Sequence, residues 1–347
     1  MARRIGRPSQ RDVARLAGVS QAVVSVVLTG KAETKHITPT VQARIRDAAA
    51  ELGYVPDVAA RSLRGGRNGL VGVYTFEQVF PVRADDYYHE FLVGIEEKAV
   101  ELGQDLVLFA STQRPDGTRS IYASGSNRLR LADGAIVLGI ERDDAELVRL
   151  AAEGFPFVFI GRRDLPGTTV PYVVADYAAA VGGVVDRLAG LGHRTVVYLG
   201  NEVRRAPHEQ RREAFAAHTR RAGLTTPPDA LMRPEAVSTG WLGATLATGV
   251  TAFVIETFEL AEAVAGAAKR HGCEVPADLS AVCLDSPPPG SPVADWSHTA
   301  VPRRELGARA VAILLALLDG EVPAGHVEIL PCGPITEGSI APPPPHR

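Results

Sequence analysis

The sequence predicts two architectures in one chain: an N-terminal all-α helix-turn-helix domain, then an α/β body of two lobes built on parallel sheets. Three observations lead there. A capped pair of short helices around a glycine turn occupies residues 9–28. From Leu70 onward, short apolar runs alternate with stretches of helical period, the pattern of parallel strands covered on both faces. The charge divides at the same place: residues 1–67 hold 12 Lys/Arg against 5 Asp/Glu, a net of +7, and the remainder holds 25 against 35, a net of −10.

Composition supports globular domains. With 347 residues the chain has room for two or three cores, and 46% hydrophobic with 22% charged residues is ordinary for folded protein. Three cysteines, Cys273, Cys283 and Cys332, contain no CxxC pair, so neither a disulfide framework nor a zinc site is expected. Arg3 and Arg4 ahead of Ala22–Leu28 do not make a signal peptide, because Arg11, Asp12 and Arg15 interrupt the approach and the apolar stretch is short. The longest apolar run, Ala310–Leu318, is too short to span a bilayer. A cytoplasmic protein without a membrane partner is the expectation.

Ser9-Gln-Arg-Asp12 reads as a capping box that starts a first helix running to about Ala17. Gly18 ends it, and Ser20 caps a second helix through about Leu28. Val13, Leu16, Val24, Val27 and Leu28 are the expected shared core, which leaves Gln21, Ala22, Ser25 and Val26 on or near the outer surface. Thr38-Pro39 caps a third helix that ends at Gly53. A helix-turn-helix sets the start of its second helix in the DNA major groove, and a net of +7 suits a polyanion.

Asp12-Val-Ala-Arg-Leu-Ala-Gly-Val-Ser20, Val24-Ser25, Val27-Leu28, Ala48 to Ala50-Glu-Leu-Gly-Tyr-Val-Pro56 and Ala60-Arg-Ser-Leu-Arg64 resemble the N-terminal domain of LacI/GalR-type bacterial transcription regulators. The resemblance implies a DNA-binding set of Ser20, Gln21, Ala22, Ser25 and Val26, followed by a hinge helix whose Ala60 and Leu63 face the minor groove. An apolar wedge such as Leu63 unstacks a base step, and the cost is offset by added contacts. Two departures matter: Val23 and Val26 stand where the family usually has Thr and Arg. Valine offers only apolar contact to a thymine methyl, so Gln21 is the expected polar base reader, with Ala22 and Val26 supplying shape; the alternative is that base reading here is degraded.

In the body, strands are expected at Leu70–Tyr74, Leu106–Phe109, Ala135–Leu138, Phe157–Ile160, Val173–Val174, Thr195–Leu199, Ala252–Ile255 and Ala281–Leu284. Helical stretches include Phe91–Leu102, Ala178–Leu191 and Leu260–Arg270. So long a series divides into two lobes, with ligands expected outside the carboxyl ends of the strands.

The resemblance continues through Gly94-Ile-Glu-Glu97, Leu102-Gly103, Asp133-Gly134, Gly154-Phe-Pro156, Gly192-His193-Arg194 and Glu305-Leu-Gly307. It implies the fold of periplasmic sugar-binding proteins, two Rossmann-like lobes with a small-molecule effector, carbohydrate in class, in the cleft. The implied boundaries are a DNA-binding domain at 1–56, a hinge at 57–68 and an effector and dimerisation domain at 69–341. Its N-lobe takes about 69–172 and 302–330, its C-lobe about 173–301 and 331–341. Carried over residue by residue, the effector site comprises Tyr88, Arg162, Arg211, Trp241, Phe258 and Asp285, with Asp176 a weaker candidate. Thr257-Phe258 replace a usual Asn-Asp, and Ser286 a second aspartate, which disfavours an ordinary hexose.

No GxxxxGK[ST], GxSxG or HExxH motif occurs, and His193, His208, His218, His271 and His298 lack metal-ligand spacing. No catalysis, cofactor or metal is therefore expected, and His193 reads as structural. The expected partners are a second copy of the chain, near-palindromic double-stranded operator DNA and the effector. A regulator with a non-sugar effector, or one switched by a protein partner, is the alternative.

Overall fold

Residues 8–28, 35–54, 67–76, 87–110, 119–139, 143–288 and 290–344 are described by the computed structural model. The chain divides into two units, Met1–Asn68 and Gly69–Arg347.

In the first unit α1 (Gln10–Ala17) begins at the Ser9 capping box, where Ser9 and Asp12 bond reciprocally, and stops at Gly18 with φ 63°. After the turn come α2 (Gln21–Leu28) and α3 (Pro39–Glu51). Val13, Ala14, Ala17, Val24, Val27, Ile45, Ala48 and Ala49 form the core. Leu16 does not join it and is 46% exposed, because α1 turns Val13, Ala14 and Ala17 inward and Leu16 falls on the flank of that face. Leu28 only packs partly against the core. Thr38 precedes α3 without a side-chain cap bond, so Pro39 alone supplies the start signal.

The second unit holds two parallel sheets. The first is built from β1 (Leu70–Tyr74), β2 (Asp105–Leu108), β3 (Gly134–Leu138), β4 (Phe157–Ile160), β5 (Tyr172–Ala175) and β10 (Val327–Leu330), in the order β10-β5-β4-β3-β1-β2. The helices α4 (His89–Glu101), α5 (Asp144–Ala152) and α10 (Arg303–Asp319) belong to this N-lobe. One face of its sheet buries Val71, Ile136 and Val158 with Phe91, Ile95 and Leu314, and the other buries Ala135, Val137 and Phe157 with Leu147 and Leu150.

The C-lobe sheet has the order β7-β6-β8-β9, from β6 (Val196–Gly200), β7 (Ala230–Leu231), β8 (Ala252–Ile255) and β9 (Ser280–Cys283). It is flanked by α6 (Tyr177–Gly190), α7 (Ala206–Ala222), α8 (Thr239–Leu246) and α9 (Phe258–His271). Strand β5 corrects the expected lobe boundary. Tyr172 pairs with both Phe159 and Val327, so the N-lobe sheet keeps residues through Ala175 instead of ending at 172. A four-residue apolar strand carries no local sign of which sheet it joins; its hydrogen bonds decide.

The chain passes between lobes three times: after β5, before α10 and after β10. The last passage is stitched to the C-lobe. Ser297 and Ser339 exchange backbone-to-side-chain hydrogen bonds of 2.8 and 3.0 Å, and the Ser339 hydroxyl donates to Ala281 O. His193, fully buried, holds Ala341 O at 3.0 Å through Nε2 and Thr251 Oγ1 at 2.8 Å through Nδ1. The structural role read for His193 is thus that of a clamp on this segment.

Candidate functional site

Two sites emerge, one in each unit. In the first, burial of Val24 and Val27 turns the opposite side of α2 outward. Ser20 and Ala22 are exposed, and Gln21, Val23, Ser25 and Val26 are half-buried. Ser20 starts the helix, with its Oγ accepting from the Val23 N–H at 3.4 Å and its carbonyl from Val24 N–H at 3.2 Å. Arg11, which the sequence did not single out, donates from Nε to Gln21 Oε1 at 3.4 Å. Gln21 therefore keeps its amide N–H groups for an outside acceptor. Ala60 and Leu63 lie outside the described residues.

In the second unit a cavity opens at the carboxyl ends of β3, β4 and β5, where Leu138, Ile160 and Ala175 end their strands. Tyr88 and Phe91 at the start of α4 form one wall, and Pro207 and Gln210 of α7 form the opposite one. The cavity thus lies between the lobes, as the parallel topology requires.

Of the expected effector residues, Tyr88 and Arg162 line this cavity. Arg162 is half-exposed and paired with Asp164 at 2.8 Å. Its neighbour Arg163 also lines the cavity, buried over the Phe159 ring and donating to the Gly139 carbonyl at 3.1 Å. Arg211 and Asp285 stand just behind the lining. Arg211 follows Gln210 and lays its guanidinium 4.5 Å from the centre of the Tyr177 ring, which is itself a cavity wall. Burial pushes the Tyr177 hydroxyl far above the usual phenol range, so it stays protonated.

Asp285 is bonded to Arg303, whose guanidinium lies 4.7 Å from the centre of the Tyr87 ring, and it also accepts from the Ser286 N–H at 2.9 Å. Asp176 is engaged as the cap of α6, accepting from Ala179 N–H at 2.9 Å. Trp241 and Phe258 are not brought to the cavity. Trp241 packs on Phe253 at 5.7 Å between ring centres, and both it and Phe258 lean on the C-lobe core. The C-lobe core claims the large apolar side chain at the start of each helix.

The sequence reading missed Tyr87, Tyr177, Arg303 and a buried network around Glu256. That carboxylate, fully buried after β8, accepts from Tyr198 Oη at 2.5 Å, Asn201 N–H at 2.8 Å and Arg204 Nη1 at 2.9 and 2.8 Å. Arg204 is further held by Glu209 at 2.8 Å. His208 sits 3.9 Å from Glu256, and burial lowers its pKa more than the carboxylate raises it. A Glu directly after an apolar strand run was the one local signal that could have marked this network.

A helix-turn-helix unit joined in sequence to a two-lobed α/β fold with an interlobe cavity defines a class of protein architecture. Comparison with known proteins agrees along the chain. Residues 10–57 match the family model for bacterial regulatory proteins of the lacI family, residues 77–235 that for periplasmic binding proteins and the sugar-binding domain of the LacI family, and residues 185–340 a periplasmic binding protein-like domain. The chain thus carries a LacI-type DNA-binding segment followed by periplasmic-binding-protein-like segments, and its relatives are LacI-family regulators.

Among its relatives, the sucrose operon repressor of Klebsiella pneumoniae is 28% identical over 67% of this chain and 66% of its own length. The transcriptional regulator CelR of Thermobifida fusca is 31% identical over 55% of this chain and 54% of its own. The regulator GntR of Pseudomonas aeruginosa is 28% identical over 92% of both. The chain thus spans just under two thirds of the first and about half of the second. The lac repressor dimer bound to operator and the anti-inducer ONPF superposes with a TM-score of 0.72 at 22% identity, covering 96% of this chain and 98% of that one. A CelR–cellobiose complex gives 0.64 at 22% identity, covering 96% and 99%. At these identities the two structures speak for the fold.

Proposed function

We propose that this protein is a sequence-specific DNA-binding transcription regulator, a repressor, whose affinity for a near-palindromic operator is switched by a small sugar-like effector held between the lobes. The observation that carries this reading is the pairing of a capped helix-turn-helix, with Gln21 and Ala22 on the open side of α2, and an interlobe cavity walled by aromatic rings. The names of its relatives support it: a sucrose operon repressor, and a CelR seen with cellobiose.

In this reading Gln21 donates its amide hydrogens to a base edge, Ser20 and Ser25 serve the backbone, Ala22 and Val26 supply shape, and Leu63 with Ala60 wedges the minor groove. Arg211, Tyr88 and Arg162 bind the effector, with Asp285 fixed by Arg303 beside them. The effector favours one angle between the lobes and so shifts the population competent for DNA. Two copies present two recognition helices to two half-sites. The protein works in the cytoplasm on chromosomal DNA, and the cleft binds its ligand without turning it over.

The test is selection of sheared genomic fragments by the full-length protein, followed by sequencing. A small set of fragments sharing an inverted repeat is the expected result. Enrichment that tracks fragment length alone, with no common repeat, refutes sequence-specific regulation.

A further inference from the structure

Resting on the reading of the cleft as an effector site, the charge balance around it narrows the effector's chemistry. Two guanidinium groups and one carboxylate are buried together where the lobes meet. Arg211 comes from α7 of the C-lobe, Arg303 from the first turn of α10 in the N-lobe, and Asp285 from the end of β9. Asp285 is committed to Arg303 and to Ser286 N–H. Arg211, only 4% exposed, has a single hydrogen bond among the described residues, a 3.5 Å contact to the Glu256 carbonyl, and its Nε has no partner. That contact is at the limit of what counts as a hydrogen bond.

The other nearby charges do not answer Arg211. The Glu256 carboxylate is taken up by Arg204, Tyr198 and Asn201, while Arg162 is matched by Asp164. Arginine cannot escape by losing its proton, and stacking on the Tyr177 ring returns only part of what desolvation costs. Within the cluster of Arg211, Arg303 and Asp285 two positive charges face one carboxylate, so one positive charge is left over there. A forked donor in that state matches a carboxylate, which it can bind through two parallel hydrogen bonds. The rings of Tyr88, Phe91 and Tyr177 along the cavity offer flat faces and phenol hydroxyls for a polyol body.

We propose that the effector is a sugar acid, a polyhydroxylated body carrying one carboxylate that becomes the counter-ion of Arg211. Neutral sugars satisfy the hydroxyl donors and acceptors of the cleft but leave this charge alone.

The experiment compares D-glucuronate, D-gluconate and D-galacturonate with D-glucose and D-galactose at constant ionic strength, by thermal melting and calorimetry on the full-length protein. At least one acid should raise the melting temperature and bind about 10- to 100-fold more tightly than its neutral parent, the range expected of a charge-assisted pair. Arg211→Met should erase that difference. A neutral sugar that binds as tightly as its acid overturns the proposal and leaves the effector-site reading intact. A panel that moves nothing also overturns it, and the genomic-fragment selection, which needs no effector, then judges the regulator reading separately. A second readout needs no ligand: unliganded Arg211→Met should melt at or above wild type, since a charge without a counter-ion has been removed. A fall of several degrees assigns Arg211 a structural role and overturns the proposal.

Discussion

Asp285 and Arg303 form a buried ion pair between segments of the two lobes, and pairs of this kind respond unequally to loss of one or both members. Arg303→Gln takes away the hydrogen-bonded partner of the buried Asp285 carboxylate, which Arg211 answers only through space, and should cost about 3–5 kcal/mol in chemical denaturation. Adding Asp285→Asn should recover much of that loss; a double variant as unstable as the single one contradicts the pairing. At the DNA site, Gln21→Ala should weaken operator binding while sparing binding to random DNA, because the phosphate contacts that dominate nonspecific affinity remain. Leu63→Ser should behave likewise, and equal loss on both DNAs, read by fluorescence anisotropy, removes the wedge from the mechanism.

His193 sets a pH dependence. Burial holds its pKa below the ordinary histidine value, against the opposing bond to Ala341 O. The unfolded chain takes up this proton near pH 6.5, whereas the folded protein resists until lower pH. Between the two values the unfolded state binds more protons, so the contribution is complete above about pH 6.5 and is lost as pH falls. His208 is shifted the same way. Melting temperature should drop from pH 7.5 to 5.5, and His193→Gln should flatten part of the slope; an identical slope in the variant rules His193 out. At this scale the sequence singled out Arg211 and Asp285 through the family resemblance, and the structure buries both beside Tyr177 and Arg303. Arg303 was not singled out, since its importance comes from a partner 18 residues away that only the fold brings to it.

At the level of elements, the packing of α4 on α10 depends on two glycines. A Cβ on Gly94 would collide with Arg304 O, and one on Gly307 with Phe91 O. These are backbone atoms that cannot step aside, so the helices touch main chain to main chain. Gly94→Ala should cost about 1–3 kcal/mol by forcing them apart. Gly183 in α6 is the control: nothing lies within 4 Å of the Cβ that an alanine there would carry, and Gly183→Ala should be neutral or stabilise by about 0.5–1 kcal/mol. Equal losses at both positions would refute the close-contact account. The Gly94-Ile-Glu-Glu97 and Glu305-Leu-Gly307 stretches that stood out in the sequence are thus two sides of one contact. Strands β1, β4 and β8 were readable residue for residue, as uninterrupted apolar runs. β10 was not, because it is an edge strand whose Val327 and Ile329 face outward, and neither was α7, whose surface is mostly charged and whose core side buries Arg211 beside Ala214 and Phe215.

For the whole molecule, the proposed mechanism requires two copies acting together. Light scattering should give a dimer, and footprinting should protect two half-sites with centres about 34 Å apart, one helical turn of DNA. Protection of a single half-site by a monomer would contradict the symmetric reading. The cleft followed from the alternation of strands and helices, but its charge balance did not, because neutralisation depends on which of many arginines meets which carboxylate across the lobes.

The three passages between lobes also have a genetic consequence. β10, next to β5 in the first sheet, and the stitched segment through Ala341 in the second both come from the stretch that begins at Val327. A nonsense or frameshift mutation before Val327 therefore damages both lobes at once and leaves no half able to fold normally. Such alleles should behave as simple nulls that do not poison an intact copy by mixed assembly, in contrast to missense changes confined to α2, which leave the second unit whole and free to do so.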